Sequence, residues 1–236
     1  MGLKESGLRG SLRNVSTGVI AIPDSELTHH FDASLLSGTD GDTITTFPDS
    51  AGTNDATGDG TLRTDAVNGE NVIELNGSQN FENANSSPVL SQPVTIFAVW
   101  NSATDTGDQQ TAIGFNNDVD GLLLFQRQDD SSSTGPSIFA GSQVDAGQSK
   151  GSFPTRIDAG IFDGSNSAIR TDGVERATGN VGSQSDNGSF SIGSRFDGSE
   201  FLDGQVCEIL VYDRKLDPVE IDQVESFLSD KWGITI

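Results

Sequence analysis

Most of the fold can be inferred from one stretch, QVCEILVYDRKLDPVEIDQVESFLSDKWGI, which covers residues 205–234. Its first eight residues, 205–212, are mainly apolar and β-branched, which is typical of a buried β-strand. After the short polar segment DRK, apolar residues recur at helical spacing instead. The stretch therefore predicts a buried strand that leads directly into one helix.

The helix in this stretch has a defined start and a defined end. Asp217 is a good N-cap, Pro218 suits the first helical position, and Glu220 at N3 completes a capping box. Leu216 and Ile221 then occupy the two positions of a hydrophobic staple. The apolar stripe and the terminating glycine are Ile221, Val224, Phe227, Leu228 and Gly233. We therefore predict one C-terminal helix whose stripe packs on the sheet.

Inside this helix lies EIDQVE (220–225), which resembles the E-x-D-x-x-E active-site signature of jelly-roll β-glucan hydrolases. In those enzymes the motif lies on a strand, where alternate side chains share a face, and retaining chemistry needs two carboxyl groups about 5–5.5 Å apart. On a helix that advances about 100° per residue, Asp222 and Glu225 fall about 200° and 140° from Glu220. The motif is therefore interpreted as the exposed, solvated edge of a helix, and no catalytic residue is assigned.

From residue 27 onward the chain has the patterns of an all-β protein. Alternating or fully apolar runs predict strands at 43–47, 71–75, 94–100, 121–126, 156–162, 189–193 and 205–212. Ten Asp-Gly or Asn-Gly dipeptides, from Asp40-Gly41 to Asp203-Gly204, predict tight hairpin turns. Many short strands with frequent turns and no alternating helices indicate an antiparallel sandwich.

The charge balance limits the environment and the partners of the protein. The 236 residues include 35 acidic and 13 basic side chains, a net charge of −22. A compact chain with this excess repels itself unless counter-ions screen it, and molar salt shortens the Debye length to about 3 Å. We therefore expect a protein from a very saline environment, the alternative being an ordinary acidic surface protein. The charge balance disfavours a nucleic-acid partner, and we expect none, because binding phosphates requires a basic face.

Membrane insertion, a disulfide framework and the common catalytic motifs find no support in the sequence. No apolar run reaches the roughly 18 residues that a membrane-spanning helix requires. The single cysteine, Cys207, cannot form an internal disulfide and is interpreted as a small buried residue. His29 and His30 lack metal-ligand spacing to another histidine or to the cysteine, and we expect them at a strand edge. A nucleophile elbow, a phosphate loop and a zinc-binding HExxH helix are all absent.

The first 23 residues differ in charge from the rest of the chain. Lys4, Arg9 and Arg13 stand against the single Glu5, so this segment is basic while residues 24–236 carry the acidic excess. Two interpretations stay open, a disordered tail or a docking arm whose basic residues bind an acidic partner surface. The segment also lacks the apolar h-region of a secretory signal peptide.

Two groups of oxygen-bearing side chains are weak candidates for a metal site. The segment NNDVDG has the alternate spacing of the start of a calcium loop, with the candidate ligands Asn116, Asp118 and Asp120. The bidentate glutamate of an EF-hand would fall at Arg127, so the segment is either a simpler Ca²⁺ or Na⁺ site or a plain hairpin turn. The second, equally weak group is Asp40, Asp42 and Asp49.

A glycan site cannot be located from the large aromatic residues. Exposed tryptophan or tyrosine rings commonly stack on the C–H faces of sugars, but Trp100, Tyr212 and Trp232 all fall in predicted core elements. Any glycan site would therefore depend on Asp, Asn and glycine backbone groups in loops, which the sequence does not single out.

With these elements placed, residues 27–234 resemble the concanavalin A-like, laminin G-type jelly-roll domains. The matching segments are HFDAS (30–34), GDTITTFPDSAGTNDAT (41–57), NVIELNGSQNF (71–81), PVTIFAVW (93–100), IFDGSNSAIRTDGVE (161–175) and residues 190–234. The resemblance implies an all-β, concanavalin A-like jelly-roll sandwich of two antiparallel sheets with one C-terminal α-helix, formed by residues 24–236. Because this fold hosts lectins, hydrolases and inert structural modules, it does not select one function.

The segment SGLRGSLRNVSTGVIAIPDS (6–25) is similar to leaders on such domains in structural proteins of haloarchaeal tailed viruses. This resemblance implies a non-enzymatic virion component, displayed on a capsid, turret or tail and attached to other virion proteins through the basic arm. Its expected roles are particle decoration and recognition of host surface glycans, as a symmetric homo-oligomer. The alternative is a carbohydrate-binding module of a halophile's cell-surface protein, and a glycoside hydrolase is a remote third.

Overall fold

The computed structural model describes residues 21–103, 109–115, 122–128, 135–147 and 152–236. The strands in this part of the chain are β1 (Leu27–Asp32), β2 (Thr43–Phe47), β3 (Ala56–Val67), β4 (Glu70–Asn76), β5 (Phe81–Asn83), β6 (Val94–Ser102), β7 (Gln110–Phe115), β8 (Leu122–Gln128), β9 (Gly135–Phe139), β10 (Gln143–Asp145), β11 (Phe153–Phe162), β12 (Ser167–Thr171), β13 (Val174–Gly179), β14 (Phe190–Ile192) and β15 (Asp203–Tyr212). Helix α1 (Pro218–Trp232) follows the last strand, and single 3₁₀ turns occupy Ala33–Leu35 and Gly164–Asn166.

Hydrogen bonds join these strands into one curled antiparallel sheet. The strands follow each other in the order β10-β9-β8-β7-β14-β5-β3-β4-β15-β6-β11-β12-β13, while β1 pairs with β15 and β2 pairs with β3. Because β10 at one end lies beside β12 and β13 at the other, the sheet folds over into two layers. The predicted all-β jelly-roll sandwich with one C-terminal helix is confirmed, and its two layers are continuous with each other.

The adjacent strands β11, β6 and β15 are buried on both faces. In β6, Ile96, Ala98 and Trp100 point into the core between the layers, whereas Phe97 and Val99 point into a second core under α1. Side chains alternate across a strand, so a strand covered on both faces needs a near-continuous apolar run. The run VTIFAVW (94–100) meets that requirement, and α1 provides the outer cover.

Both ends of α1 form as the sequence predicts. The Asp217 side chain accepts hydrogen bonds from the amides of Val219 and Glu220, and the Glu220 side chain accepts one from the Asp217 amide. Gly233 ends the helix in the left-handed conformation, with φ at 67°. The apolar side chains that α1 buries against the strands are Ile221, Val224, Leu228 and Trp232.

The predicted exposure of EIDQVE is wrong for one of its acids. Glu225 is only 1% exposed and forms a bidentate pair with Arg170 of β12, at 2.9 Å from Nε and 2.7 Å from Nη2. Asp222 reaches the same guanidinium at 3.2 Å, whereas Glu220 binds Arg214 through both carboxylate oxygens. Glu225 is buried because it lies one turn after Ile221 and therefore shares the face that packs on the sheet.

Two of the predicted Asp-Gly turns are also wrong. Asn68-Gly69 and Asp172-Gly173 do form hairpin turns, with positive φ at both residues as a type I′ turn requires. Asp59-Gly60 and Asp203-Gly204 instead lie inside β3 and β15. A Cβ at Gly204 would lie 2.2 Å from the Asn101 carbonyl oxygen, so this glycine permits the close approach of β15 to β6.

The described chain begins beside α1. The Ala21 carbonyl accepts a hydrogen bond from the Gln223 side chain, and the Pro23 carbonyl accepts one from the Tyr212 hydroxyl at 3.1 Å. Ile22 packs against the core under α1. The last residues of the predicted arm thus contact the sandwich, next to the first half of α1. No helix in the described ranges is long and apolar enough to cross a membrane.

Replacing Glu220 with glutamine is expected to lower the free energy of unfolding by about 1 kcal/mol at pH 7. Hydrogen bonds from Arg214 and from the Asp217 amide lower the pKa of Glu220 from 4.5 to about 2. A lowered carboxyl pKa stabilises the folded state above pH 4.5, and this stabilisation is lost as the pH falls towards 2. Urea titrations at constant KCl should show the difference between wild type and Glu220→Gln shrinking across this range.

The control is Glu26→Gln, because the Glu26 carboxylate is exposed and lies 3.7 Å from the same arginine. This variant should change the free energy of unfolding little at any pH. A stability difference for Glu220→Gln that does not depend on pH would contradict the assignment.

Candidate functional site

A cleft of about 430 Å³ opens at the edge of the sandwich where β4 and β6 end and β11 and β15 begin. These four strand ends meet because neighbouring strands run antiparallel. The polar lining of the cleft includes Glu74, Asn76, Asn101, Ser102, Asp203 and Gln205, and its apolar lining includes Phe153 and Pro154. The segments 104–108 and 148–151, which adjoin these strands in sequence, lie outside the described residues.

Three polar side chains form a row across this edge. Gln205 of β15 lies in register with Glu74 of β4 on one side and with Asn101 of β6 on the other. Asn101 Nδ2 donates to Gln205 Oε1 at 2.7 Å and to Thr155 Oγ1 at 3.1 Å. Its Oδ1 accepts a hydrogen bond from the backbone N–H of Gln205 at 2.9 Å. Asn101 is therefore fully engaged, and it fixes the Gln205 side chain, whose Nε2 hydrogens have no partner among the described residues and can donate to a ligand.

Glu74 is held from the opposite side of the row. Arg63 Nη2 donates to Glu74 Oε1 at 2.7 Å, and the same guanidinium lies 3.7 Å from a carboxylate oxygen of Asp40. The second oxygen, Glu74 Oε2, has no partner within the described chain and can accept a hydrogen bond. The row therefore presents one fixed donor and one fixed acceptor on neighbouring strands.

The apolar wall of the cleft is built on a buried hydrogen-bond network. The Arg156 guanidinium carbon lies 3.5 Å from the centroid of the Phe153 ring, and Trp100 packs edge-on against that ring at 4.8 Å between centroids. Arg156 Nε and Trp100 Nε1 both donate to Asp158 Oδ2, at 2.9 and 2.8 Å. The position of the Phe153 ring is therefore set by groups that are themselves fixed.

A second cluster, which we call the Lys231 network, lies under the end of α1. It consists of His30, Asp32, Glu208 and Lys231, and the first three are the one group of described His, Cys, Asp or Glu side chains close enough to hold a metal. The Lys231 ammonium lies 2.6 Å from Asp32 Oδ2 and 2.8 Å from Glu208 Oε2, while His30 Nε2 lies 2.7 Å from Glu208 Oε1. The Lys231 ammonium occupies the position that a metal ion would take between these carboxylates, so the cluster is a structural ion network.

The sequence did not indicate the Lys231 network, because its members come from β1, β15 and α1. Asp32 and Glu208 are opposite each other in the β1–β15 ladder. A bulge between Val206 and Glu208 turns Glu208 towards α1, where Trp232 Nε1 also donates to it at 2.7 Å. Only the ladder register and the bulge bring these groups together.

The other histidine, His29, lies in the inner core. Its Nδ1 is 3.0 Å from Asp49 Oδ2, and both side chains are fully buried. Burial opposes ionisation of Asp49, but hydrogen bonds from His29 and from the His30 and Ala51 amides outweigh it and lower the Asp49 pKa. Asp49 is thus separate from the exposed Asp40 and Asp42, and the second metal candidate of the sequence is not assembled.

The remaining predicted site residues lie outside the described residues. These are the metal candidates Asn116, Asp118 and Asp120 and the arm residues Lys4, Arg9 and Arg13. Their roles stay predictions.

The sequence comparison agrees with this architecture. The family model that matches residues 76–222, more than half of the chain, is that of the concanavalin A-like lectin/glucanases superfamily. This chain is a member of that superfamily. A search of curated proteins gives no significant match.

Several solved structures share the superfamily fold with this chain. Trypanosoma rangeli sialidase in complex with sialic acid matches with a TM-score of 0.63 and 16% identity, over 89% of this chain and 34% of the sialidase. Domain 4 of AbnA, a GH43 extracellular arabinanase from Geobacillus stearothermophilus, was solved in complex with arabinotriose. It matches with a TM-score of 0.60 and 18% identity, over 86% of this chain and 98% of that domain. The botulinum neurotoxin serotype D ligand binding domain in complex with N-acetylneuraminic acid matches with a TM-score of 0.61 and 7% identity, over 90% of this chain and 55% of that chain. These identities show the fold alone, and this chain spans about a third of the sialidase.

In this superfamily member the large aromatic residues are core residues, as predicted. Trp100, Tyr212 and Trp232 are at most 2% exposed. Cys207 is also buried, and burial raises the pKa of its thiol. The aromatic residue in the described lining of the cleft is Phe153. The sequence prediction considered tryptophan and tyrosine rings alone and therefore did not include it.

Lys231→Met is expected to lower the free energy of unfolding by about 3 kcal/mol, because it leaves the buried Asp32 and Glu208 carboxylates without their cation. Urea titrations at constant KCl measure this effect. The matched control is Lys215→Met, since the Lys215 ammonium pairs with Asp163 at 2.7 Å on a half-exposed surface and should cost less than about 1 kcal/mol. Equal losses in the two variants would show that the Lys231 network does not stabilise the fold.

Proposed function

We propose that this chain is a non-catalytic, lectin-like domain that binds a glycan in the cleft between β4, β15, β6 and β11. The observation that carries this proposal is the row Glu74–Gln205–Asn101, in which an amide donor and a carboxylate acceptor are held on adjacent strands. Carboxylates and amides bind sugar hydroxyls because a hydroxyl both donates and accepts hydrogen bonds. The Phe153 ring adds an apolar surface for the C–H groups of a sugar.

Three features of the comparisons support a ligand of this class. The match to domain 4 of the arabinanase covers 98% of that domain, which was solved with arabinotriose. The sialidase and the toxin domain were solved with sialic acid and N-acetylneuraminic acid. Sugar complexes of different chemistry thus occur on structures that share this fold.

The ion pairs of Glu74, Glu220 and Glu225 favour binding over hydrolysis. Glycoside hydrolysis needs two carboxyl groups that flank the glycosidic bond, one of them free to give a proton. Glu220 and Glu225 are each held by a different arginine, Arg214 and Arg170, and neither lines the cleft. In the cleft, Glu74 is held in an ion pair by Arg63.

The double variant Glu74→Ala/Gln205→Ala should weaken glycan binding at least tenfold, because it removes the acceptor and the donor of the row at about 1 kcal/mol or more each. A glycan array in concentrated KCl identifies binding oligosaccharides, and calorimetry with the strongest of them measures the loss. The control is Gln79→Ala, whose amide binds Asp59 outside the cleft. This control should bind like wild type, and all three proteins should unfold at similar urea concentrations.

Two outcomes would contradict the proposal. No binding to any glycan of the array by the folded wild type would exclude a lectin-like role. Release of new reducing ends from a bound oligosaccharide, abolished by Glu74→Gln or by Glu220→Gln, would show a hydrolase instead.

For the biological setting we propose display on a virion surface in brine, with attachment through the basic N-terminal segment. The acidic composition and the similarity of residues 6–25 to haloarchaeal virus leaders support this setting. Cell-surface display of the same glycan-binding domain on a halophile is the alternative.

Deletion of residues 1–20 separates the two settings and spares the contacts of Ala21, Ile22 and Pro23 with the sandwich. We expect this deletion to abolish incorporation into particles while the urea midpoint of the domain stays unchanged. Incorporation is measured by immunoblot of purified particles, with charge reversal at Lys4, Arg9 and Arg13 as a second variant. Unchanged incorporation of both variants would exclude the docking arm.

A further inference from the structure

The row Glu74–Gln205–Asn101 continues onto a fourth strand, β11. Thr155 of β11 is half-buried, and its Oγ1 accepts the hydrogen bond from Asn101 at 3.1 Å. The Thr155 hydroxyl hydrogen has no partner among the described residues, so it can donate to a ligand. The row therefore has an acceptor at its β4 end, which is Glu74 Oε2, and a donor at its β11 end, which is the Thr155 hydroxyl.

The two ends of the row are too far apart for one sugar. Strands β4, β15, β6 and β11 are successive neighbours in the sheet, and their ends are therefore three strand spacings, or about 14 Å, apart. Arg63, which holds Glu74, belongs to β3 on the side of β4 away from β15, so it does not draw the carboxylate towards Thr155. A sugar ring, closed by bonds of about 1.5 Å, spans about one strand spacing.

We infer that the cleft takes an oligosaccharide of at least two sugar units that lies across the strands from β4 to β11, an inference that rests on the proposed glycan-binding function. The unit at the β4 end donates a hydroxyl hydrogen to Glu74. The unit at the β11 end accepts a hydrogen bond from the Thr155 hydroxyl. Gln205, which lies between the two ends, donates to a sugar oxygen. A single sugar reaches one end of the row only.

The volume and the floor of the cleft agree with a ligand of this length. The volume of about 430 Å³ is in the range of sites for drug-sized ligands, a size that a disaccharide or a trisaccharide matches better than a single sugar. Between the two ends lies Asn101, whose Nδ2 and Oδ1 are both engaged. A ligand that reaches both ends makes two sets of contacts for one loss of translational and rotational freedom, so affinity should rise with length.

The test combines ligand length with one variant at each end of the row. The probes are arabinose and arabinotriose, glucose and cellotriose, and the strongest oligosaccharide of the glycan array with its component monosaccharides, each titrated by calorimetry or ligand-observed NMR in concentrated KCl. In a series that binds, we expect the oligosaccharide to bind at least tenfold more tightly than its monosaccharide. Glu74→Ala and Thr155→Val should each weaken binding of the oligosaccharide at least threefold. Binding of the monosaccharide should be weakened by at most one of these variants.

Two further variants separate a lost contact from a disturbed strand. Thr155→Ser keeps the hydroxyl and should bind the oligosaccharide like wild type. Thr178→Val is the matched control for the loss of a threonine hydroxyl, since Thr178 is exposed on β13 and does not line the cleft. This control should also bind like wild type, and all variants should unfold at similar urea concentrations.

Three outcomes would overturn the inference while the glycan-binding function stands. The first is equal affinity for an oligosaccharide and its monosaccharide. The second is weaker binding of the oligosaccharide in only one of the two end variants, and the third is weaker binding of one monosaccharide in both. Binding of none of the probes or array glycans would instead overturn the proposed function.

Discussion

Strands β6 and β15 carry apolar side chains on both faces, so the sheet that they form cannot face water on either side. The inner face is covered by the second layer of the sandwich, and the outer face is covered by α1. Polar contacts then hold α1 against the sheet at several points. Arg170 binds Glu225, and Lys231 binds Asp32 and Glu208. Burial of the outer face of the sheet thus requires α1, and the ion pairs fix the position of α1 on that face.

The cleft follows from the length of that helix. A helix of 15 residues spans about 22 Å, and it leaves one end of the outer face uncovered. Along the strands the outward residues change from apolar to polar at that end, from Val72 to Glu74, from Val99 to Asn101 and from Cys207 to Gln205. The polar row is therefore the uncovered continuation of the face that α1 packs on, and the same alternation of the strands produces both the core and the candidate site.

This alternation explains what the sequence could predict. The apolar runs gave seven of the strands, and the capping residues gave both ends of α1. Strand β3, ATGDGTLRTDAV, was not predicted because its apolar and polar residues follow no clear period. It forms a strand because it pairs with β2, β4 and β5. The predicted exposure of Glu225 was wrong because Glu225 lies one turn after Ile221 on the packed face of the helix, and its partner Arg170 belongs to β12, which the helical pattern does not reveal.

The candidate site was less predictable than the fold. Its residues are ordinary polar residues that become a row only through register, and Gln205, Glu74 and Asn101 share no local motif. One signal was present, since each lies two positions from an outward apolar residue on its own strand. The motif that did stand out, EIDQVE, proved to hold the helix in place. A familiar spacing of acids was thus a guide to packing, while the register of plain strands located the candidate site.

The position of β15 also has a consequence for the order of events during folding. This strand lies between β6 on one edge and both β1 and β4 on the other, and all three neighbours precede it in the chain. The bond from Thr28 to Val211 joins residues 183 positions apart. On the ribosome, β1, β4 and β6 must therefore wait with unpaired edges until β15 has emerged. Assembly of the sandwich therefore depends on β15, and until this strand pairs, the edges of β1, β4 and β6 are open to pairing with other chains.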